Sequence, residues 1–315
     1  MPGHYTRYIE CAVPGRCRQG HGGARGGHKS GGRHSHGRPV GRPETGTLSD
    51  EEKKKAKEAE KRKKLFEGIG AILSSSAGID YASEVTIGES LALEGFRRYG
   101  LPVDDNGLQK YVNVLGNAIA RNSTRPGIPY RFVVVDNPLK NAFSCPGGII
   151  FVCSGLMGIL ENEEHLANIL AHEVAHVSHK HALQSIQRVR FFKGVGKITA
   201  ATMEGDKGEQ YESIIGDLQT TLFDKGLDQN MEFEADLSGM DTVFRTGYSP
   251  EGMIEVLNAL KRTKAGSAKT GSWFSTHPPL GQRIEKCRAH LGTFSDYGGI
   301  QKNRYRFNTY KSRLP

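Results

Sequence analysis

The chain has 315 residues, with 43 Lys and Arg against 34 Asp and Glu, 40 Gly and five Cys. Its hydrophobic share of 37% rises to roughly 46% when glycine is counted and tyrosine is not, an ordinary globular value that excludes wholesale disorder. Cysteine is too sparse for a disulfide framework, and glycine lacks the period of three that a collagen-like chain needs.

The net charge of +9 is not spread evenly. Residues 1–49 carry +6, residues 50–64 (DEEKKKAKEAEKRKK) carry +3, and 65–315 hold 27 basic and 27 acidic side chains. The basic balance therefore belongs to the first 64 residues, and the neutral remainder gives no reason to expect nucleic-acid binding. Residues 1–49 read as a disordered Gly/His/Arg-rich leader holding His4, His21, His28, His34 and His36 at no fixed spacing. No apolar run of signal-peptide length follows its charges. Residues 50–79 read as a charged helical linker, 80–292 as the globular domain and 293–315 as a basic C-terminal tail. The longest uncharged stretch, 141–160, is broken by Pro146 and four glycines, so no transmembrane span is expected.

Within the domain the periodicity predicts helices over 84–99 and 105–121. YRFVVVD, 130–136, reads as a strand ending in a turn, and GGIIFVCSG, 147–155, as a second strand bounded by glycine. One long helix is expected over 161–188, then a mixed segment over 189–225, then helices over 229–245, 250–263 and 279–291. Helices around a short sheet make an α+β domain. The segment 189–225 is either a lid over a cleft or a plain structural connection. Cys145, Cys153 and Cys287 show no spacing that carries redox or nucleophilic work.

The chemistry concentrates in AHEVAH, 171–176. His172 and His176 stand one helical turn apart on one face, so two imidazoles can grip one ion, with Glu173 placed to reach a water on it. Ile169 and Leu183 share that side, so the helix is apolar all round and interrupted by two histidines, the pattern of a buried polar site. A zinc site needs a further protein ligand. His179 stands about 10 Å from His172 along an unbroken helix, too far to share an ion. The better source is MEFEAD, 231–236: Glu232 offers a carboxylate, and Asp236, one turn on, can orient a ligating histidine. Glu234 is the rival ligand and points away if Glu232 points in.

HEVAH followed about 55 residues later by ExxxD, with NAF and PGG before a strand upstream and STHPP and an arginine downstream, resembles the zinc metallopeptidases grouped with the CAAX prenyl proteases and HtpX. The soluble, periplasmic BepA/LoiP-type and mitochondrial Oma-type members are the nearest in pattern, and the likeness covers about residues 80–292. It implies a mainly helical gluzincin-type α+β domain with a small sheet beside the active-site helix. It also implies one Zn2+ per chain on His172, His176 and Glu232, with Glu173 as catalytic acid/base. His277 matches a histidine that approaches the metal in some members, and Arg283 an arginine just after it; both join the catalytic set. The strand Gly147–Val152 is expected as an edge on which an extended substrate could pair, with an ordinary core strand as the alternative.

The resemblance implies an endopeptidase acting on protein or peptide substrates, among them unfolded or misassembled envelope proteins. Periplasm or cell envelope is the implied location and cytoplasm the alternative, with peripheral membrane attachment left open. A rival from another class is a chaperone-like binder whose zinc is structural or latent, closed by His277 as fourth ligand. Nucleic-acid binding through RYRFNTYK and the basic leader is a third reading, which the neutral domain disfavours. The sequence does not disclose oligomeric state.

Overall fold

The computed structural model describes residues 80–192, 216, 219–263, 277, 280–300 and 302–315. The chain divides into two units, Met1–Lys64 and Leu65–Pro315, and every described residue lies in the second. The leader, the linker and residues 193–215 of the expected lid segment fall outside the described residues.

The elements run α1 (Tyr81–Tyr99), α2 (Asn106–Ala120), β1 (Arg131–Val135), β2 (Ala142–Cys145), β3 (Ile149–Cys153), α3 (Ser154–Ile159), α4 (Glu163–Ser178) and α5 (His181–Phe192). A π-helical turn at Thr220–Lys225 precedes α6 (Gln229–Thr246), α7 (Glu251–Thr263), α8 (Leu280–Leu291) and α9 (Arg304–Lys311). The expected α+β class holds. Helix starts follow local capping chemistry: Asp80 and Asp105 accept hydrogen bonds from the backbone N–H groups of Ser83 and Leu108 at 2.8 and 2.7 Å.

The sheet has three strands in the order β1–β3–β2, with β1 parallel and β2 antiparallel to β3. Cys145-Pro146-Gly147-Gly148 closes the β2–β3 hairpin, with Gly148 N–H bonded to the Cys145 carbonyl at 3.2 Å. Gly147 at φ +78° supplies the left-handed position that follows proline in such a turn. β3 is thus the central strand, pairing on both sides and buried throughout, so the expectation that Gly147–Val152 forms an edge is corrected. The edge strands are β1 and β2. Alternation alone could not separate these outcomes, because AFSC is too short to announce β2 as a strand.

The two edges are treated differently. Along α2, Gln109 and Asn113 aim their amides at β1: Gln109 exchanges two hydrogen bonds with Val134 and Asn113 two with Phe132, at 2.6–3.0 Å. Asn117 continues the row toward the Tyr130 carbonyl at 3.4 Å. Side chains at i, i+4 and i+8 so satisfy the outer backbone of β1 and blunt that edge. β2 packs against α4, and α4 makes its largest interface with α6. The core between them includes Leu166, Ile169, Leu170, Val174, Met240, Val243 and Leu257, all with no measurable exposure.

The long helix expected over 161–188 is two helices. α4 ends at Ser178, and Lys180 takes φ +58°, a conformation uncommon outside glycine. A tertiary contact explains the break. Buried Glu84 on α1 forms a two-pronged pair with Arg125, both contacts at 3.0 Å, and Arg125 Nη1 donates to the Val177 carbonyl at 3.1 Å. Lys180 Nζ comes within 3.8 Å of Glu84. A cation therefore caps the last turn of α4, and the helix breaks there.

Residues 293–315, read as a basic tail, contain α9 packed on the domain. Phe307 is fully buried, Tyr310 stacks on Tyr111 with ring centroids 4.1 Å apart, and Arg306 pairs with buried Glu163. Among the described residues no helix is long and apolar enough to cross a membrane.

Candidate metal centre

α4 and α6 are buried against each other, and the ligand candidates sit on their facing sides. His172 and His176 project from α4 with their Nε2 atoms 3.0 Å apart. Glu232, near the start of α6, brings Oε2 to 3.6 Å from His172 Nε2 and Oε1 to 3.4 Å from His176 Nε2. His277 completes a group of four donors that all lie within 4.8 Å of one another, its Nδ1 2.9 Å from Glu232 Oε2. All four residues are buried.

The residues fit a zinc ion. Bonds of about 2.0–2.1 Å in a tetrahedron place donor atoms about 3.3–3.4 Å apart; the two imidazole nitrogens are 3.0 Å apart, and the carboxylate meets each of them through a different oxygen at 3.6 and 3.4 Å. Two imidazoles and a carboxylate are also a donor set that zinc favours.

Each histidine is oriented from behind. His172 Nδ1 lies 2.9 Å from Asp236 Oδ1, which turns Nε2 into the cluster. Asp236 is held in turn by Arg283, whose Nε and Nη2 reach its two oxygens at 2.7 and 2.6 Å. Arg283 Nη1 reaches Glu232 Oε2 at 3.0 Å and the His277 carbonyl at 3.1 Å. Behind His176, His181 Nδ1 lies 2.8 Å from His176 Nδ1, and His181 Nε2 lies 3.2 Å from Glu234 Oε2.

The electrostatics follow from this packing. Burial opposes a charge on His172, but the hydrogen bonds to Asp236 and Glu232 outweigh it and push its pKa up to about 9. Burial drives His176 the other way, well below the ordinary imidazole value. Burial also works against ionised Glu232, yet the charges of His277, His176 and Arg283 hold its carboxyl well below the usual range. Arg283 does the same for Asp236 against the same opposition.

Glu173 differs from the other acids. Its carboxylate is buried beside the cluster, neither oxygen has a partner at full hydrogen-bond geometry among the described residues, although the Ser144 hydroxyl acts on it, and the His277 Nε2 is 3.8 Å from Oε1. Burial pushes its carboxyl above the ordinary carboxylate value.

The profile of peptidase family M48 matches residues 106–291, more than half of the chain. This chain belongs to peptidase family M48. It is 27% identical over 251 residues to a beta-barrel assembly-enhancing protease of Yersinia pestis, covering 77% of this chain and 50% of that protein. It is 29% identical over 210 residues to the mitochondrial metalloendopeptidase OMA1 of Arabidopsis thaliana, covering 64% of this chain and 40% of that protein. The metalloprotease LoiP of Escherichia coli (strain K12) is 28% identical over 182 residues, 58% of this chain and 70% of that protein. The chain spans about half the length of the Yersinia pestis relative.

In this M48 chain the structure brings together His172, Glu173, His176, Glu232, Asp236, His277 and Arg283. Glu234, the rival ligand, is on the outer side of α6 with its side chain 53% exposed. Sequence reasoning missed His181. Five residues beyond His176, it would lie off that histidine's face on a continuous helix. Only the break at Lys180 brings its ring to His176. The three cysteines in the domain are buried and free, with no pairing among them.

Proposed function

We propose that this M48 chain is a zinc-dependent endopeptidase whose ion is held by His172, His176 and Glu232, with Glu173 as the acid/base. The observation that carries the reading is the convergence of those three buried donors, with contacts of 3.0–3.6 Å, beside the buried Glu173 carboxylate. Bound there, zinc supplies a Lewis acid for the scissile carbonyl and lowers the pKa of water to about 7. Glu173 takes the proton from the attacking water and delivers it to the departing amine. Asp236 and His181 fix the rings of His172 and His176. Arg283 acts as a positioning residue: its guanidinium is committed to Asp236, Glu232 and the His277 carbonyl, which favours holding the ligands over touching substrate.

The substrate reading moves from β3 to β2. β1 is blunted by the amide row of α2, whereas β2 lies against the metal helix. A shallow depression bounded by Ser144, Cys145, His176, Leu183 and Leu227 runs beside it. An extended peptide adding to β2 would present its backbone beside the donor cluster. Backbone pairing suits unfolded or misassembled proteins, and an envelope setting agrees with relatives named for beta-barrel assembly and for mitochondria.

A latent form is the second reading, and His277 supports it. It is part of the four-donor group and its Nε2 lies 3.4 Å from the Ala142 carbonyl of β2, so it occupies space that a substrate strand would need. Zinc content and casein cleavage of the wild type, Glu173→Gln and His277→Ala test both. Zinc in all three with cleavage lost only in Glu173→Gln supports the peptidase and its base; full cleavage by Glu173→Gln refutes it. Cleavage that rises in His277→Ala supports latency.

A further inference from the structure

A second group of ligand-type side chains converges outside the catalytic cluster, where α4 gives way to α5. His179 Nδ1 lies 3.3 Å from Glu234 Oε1, and His181 Nε2 lies 3.2 Å from Glu234 Oε2. The three donors fall within 4.8 Å of one another. We infer that His179, His181 and Glu234 form a second, weaker site for zinc or a similar divalent ion, and that filling it disables the first.

Donor chemistry, orientation and access all favour such a site. Two imidazole nitrogens and a carboxylate repeat the donor set of the first cluster, each imidazole meeting its own Glu234 oxygen at 3.2–3.3 Å and all three residues offering donors within 4.8 Å of one another, close enough to share one ion. His179 is turned the right way: its Nε2 meets Ser238 Oγ at 3.0 Å, which leaves Nδ1 toward Glu234. A hydrogen bond behind a ligating ring is the usual mark of a built site. An ion can also reach it, since the side chains of His179 and Glu234 are 23% and 53% exposed while His181 has no exposure. A lone exposed glutamate means little; here it closes onto a buried histidine and a half-buried one.

The coupling follows from His181, which belongs to both groups, and it rests on the catalytic reading of the first. A histidine that holds a metal through one ring nitrogen donates its other N–H to a partner. His176, with Nε2 toward the first site, therefore donates Nδ1–H across the 2.8 Å contact, and His181 Nδ1 accepts. His181 then carries its proton on Nε2, facing Glu234. An ion captured at that Nε2 moves the proton to Nδ1. Two N–H groups would then face each other across 2.8 Å, and neither can accept. His181 must swing away, and His176 loses the acceptor that orients it. Losses of such partners cost roughly 10–100-fold in metal affinity or activity.

The test is zinc uptake by the full chain across graded free Zn2+, comparing wild type with His179→Gln and Glu234→Gln. The five leader histidines can take up zinc in every variant, so the difference between chains is what is read. Wild type should hold one weak equivalent more than either variant, while all three keep the tight one. Cleavage should fall at least tenfold in excess zinc for wild type and stay near its starting level in His179→Gln, whose side chain touches no catalytic group. Equal uptake by all three chains over the whole range overturns the second site. A weak equivalent lost in both variants with inhibition unrelieved overturns the coupling. Absence of the tight equivalent in wild type would instead sink the catalytic reading, and the uptake difference would still decide the second site.

Discussion

Replacing Arg283 by Met isolates the contribution of one buried cation. Its guanidinium has no exposure and makes four contacts at 2.6–3.1 Å: two to Asp236, one to Glu232 and one to the His277 carbonyl. Met keeps much of the volume and removes the charge and every donor. Two buried carboxylates one turn apart on the same face of α6 are then left with only histidines to balance them. Breaking a buried pair by removing one partner costs about 3–5 kcal/mol, because the orphaned charge stays desolvated. For a domain of this size each kcal/mol shifts Tm by about 2–4 °C, so the zinc-free variant should melt about 10 °C lower. Urea unfolding followed by circular dichroism, with and without Zn2+, is the assay. Zinc should recover part of the loss, since a cation would again sit beside Glu232. A second substitution, Asp236→Leu in the Met background, should cost less than additivity demands, because it removes the orphaned carboxylate. A loss below about 1 kcal/mol for Arg283→Met without zinc would refute the view that this cation holds the Glu232 and Asp236 carboxylates together.

Asp236→Asn should weaken zinc binding roughly 10–100-fold by loosening the ring of His172, as read by competition with a chromogenic chelator; unchanged affinity would refute that orienting role. Glu164 predicts a pH effect on stability. Burial pushes its carboxyl up to about 7, with Lys302 Nζ at 3.7 Å pulling the other way. The native state thus binds a proton that the unfolded chain releases near pH 4.5, so this residue costs stability progressively as pH rises from about 4.5 to 7. Glu164→Gln should stabilise the domain by about 1–3 kcal/mol at pH 8 and little at pH 4, and an equal effect at both pH values would refute the assignment. Gly88→Ala tests close packing: a Cβ there would fall 1.7 Å from the Pro146 carbonyl oxygen at the β2–β3 turn. Separating α1 from that turn should cost about 1–3 kcal/mol or more, and a melting temperature within a degree of wild type would show that the approach is not real.

The sequence by itself determined the parts whose information is local. HEVAH places two imidazoles on one helical face because 3.6 residues make a turn, whatever surrounds the helix. The same periodicity located α1, α2, α6, α7 and α8 to within a few residues, and the offset of four from Glu232 to Asp236 placed both carboxylates on one face, where both are buried beside His172. Composition divided the basic leader from a neutral domain.

Only the tertiary structure decided what depended on distant partners. No residue between 163 and 188 announces the break at Lys180; Arg125, held by Glu84 and far away in the chain, caps the Val177 carbonyl and ends α4 there. That break aims His181 at His176 and joins it with His179 and Glu234. Strand order was equally hidden, because pairing is set between segments and not within them. The hairpin returning through Pro146 and Gly147 puts β3 in the centre and leaves β2 on the edge beside the metal helix. The resemblance put Arg283 in the catalytic set, but only the packing of α8 shows it buried under Asp236 and Glu232, where its charge braces the site.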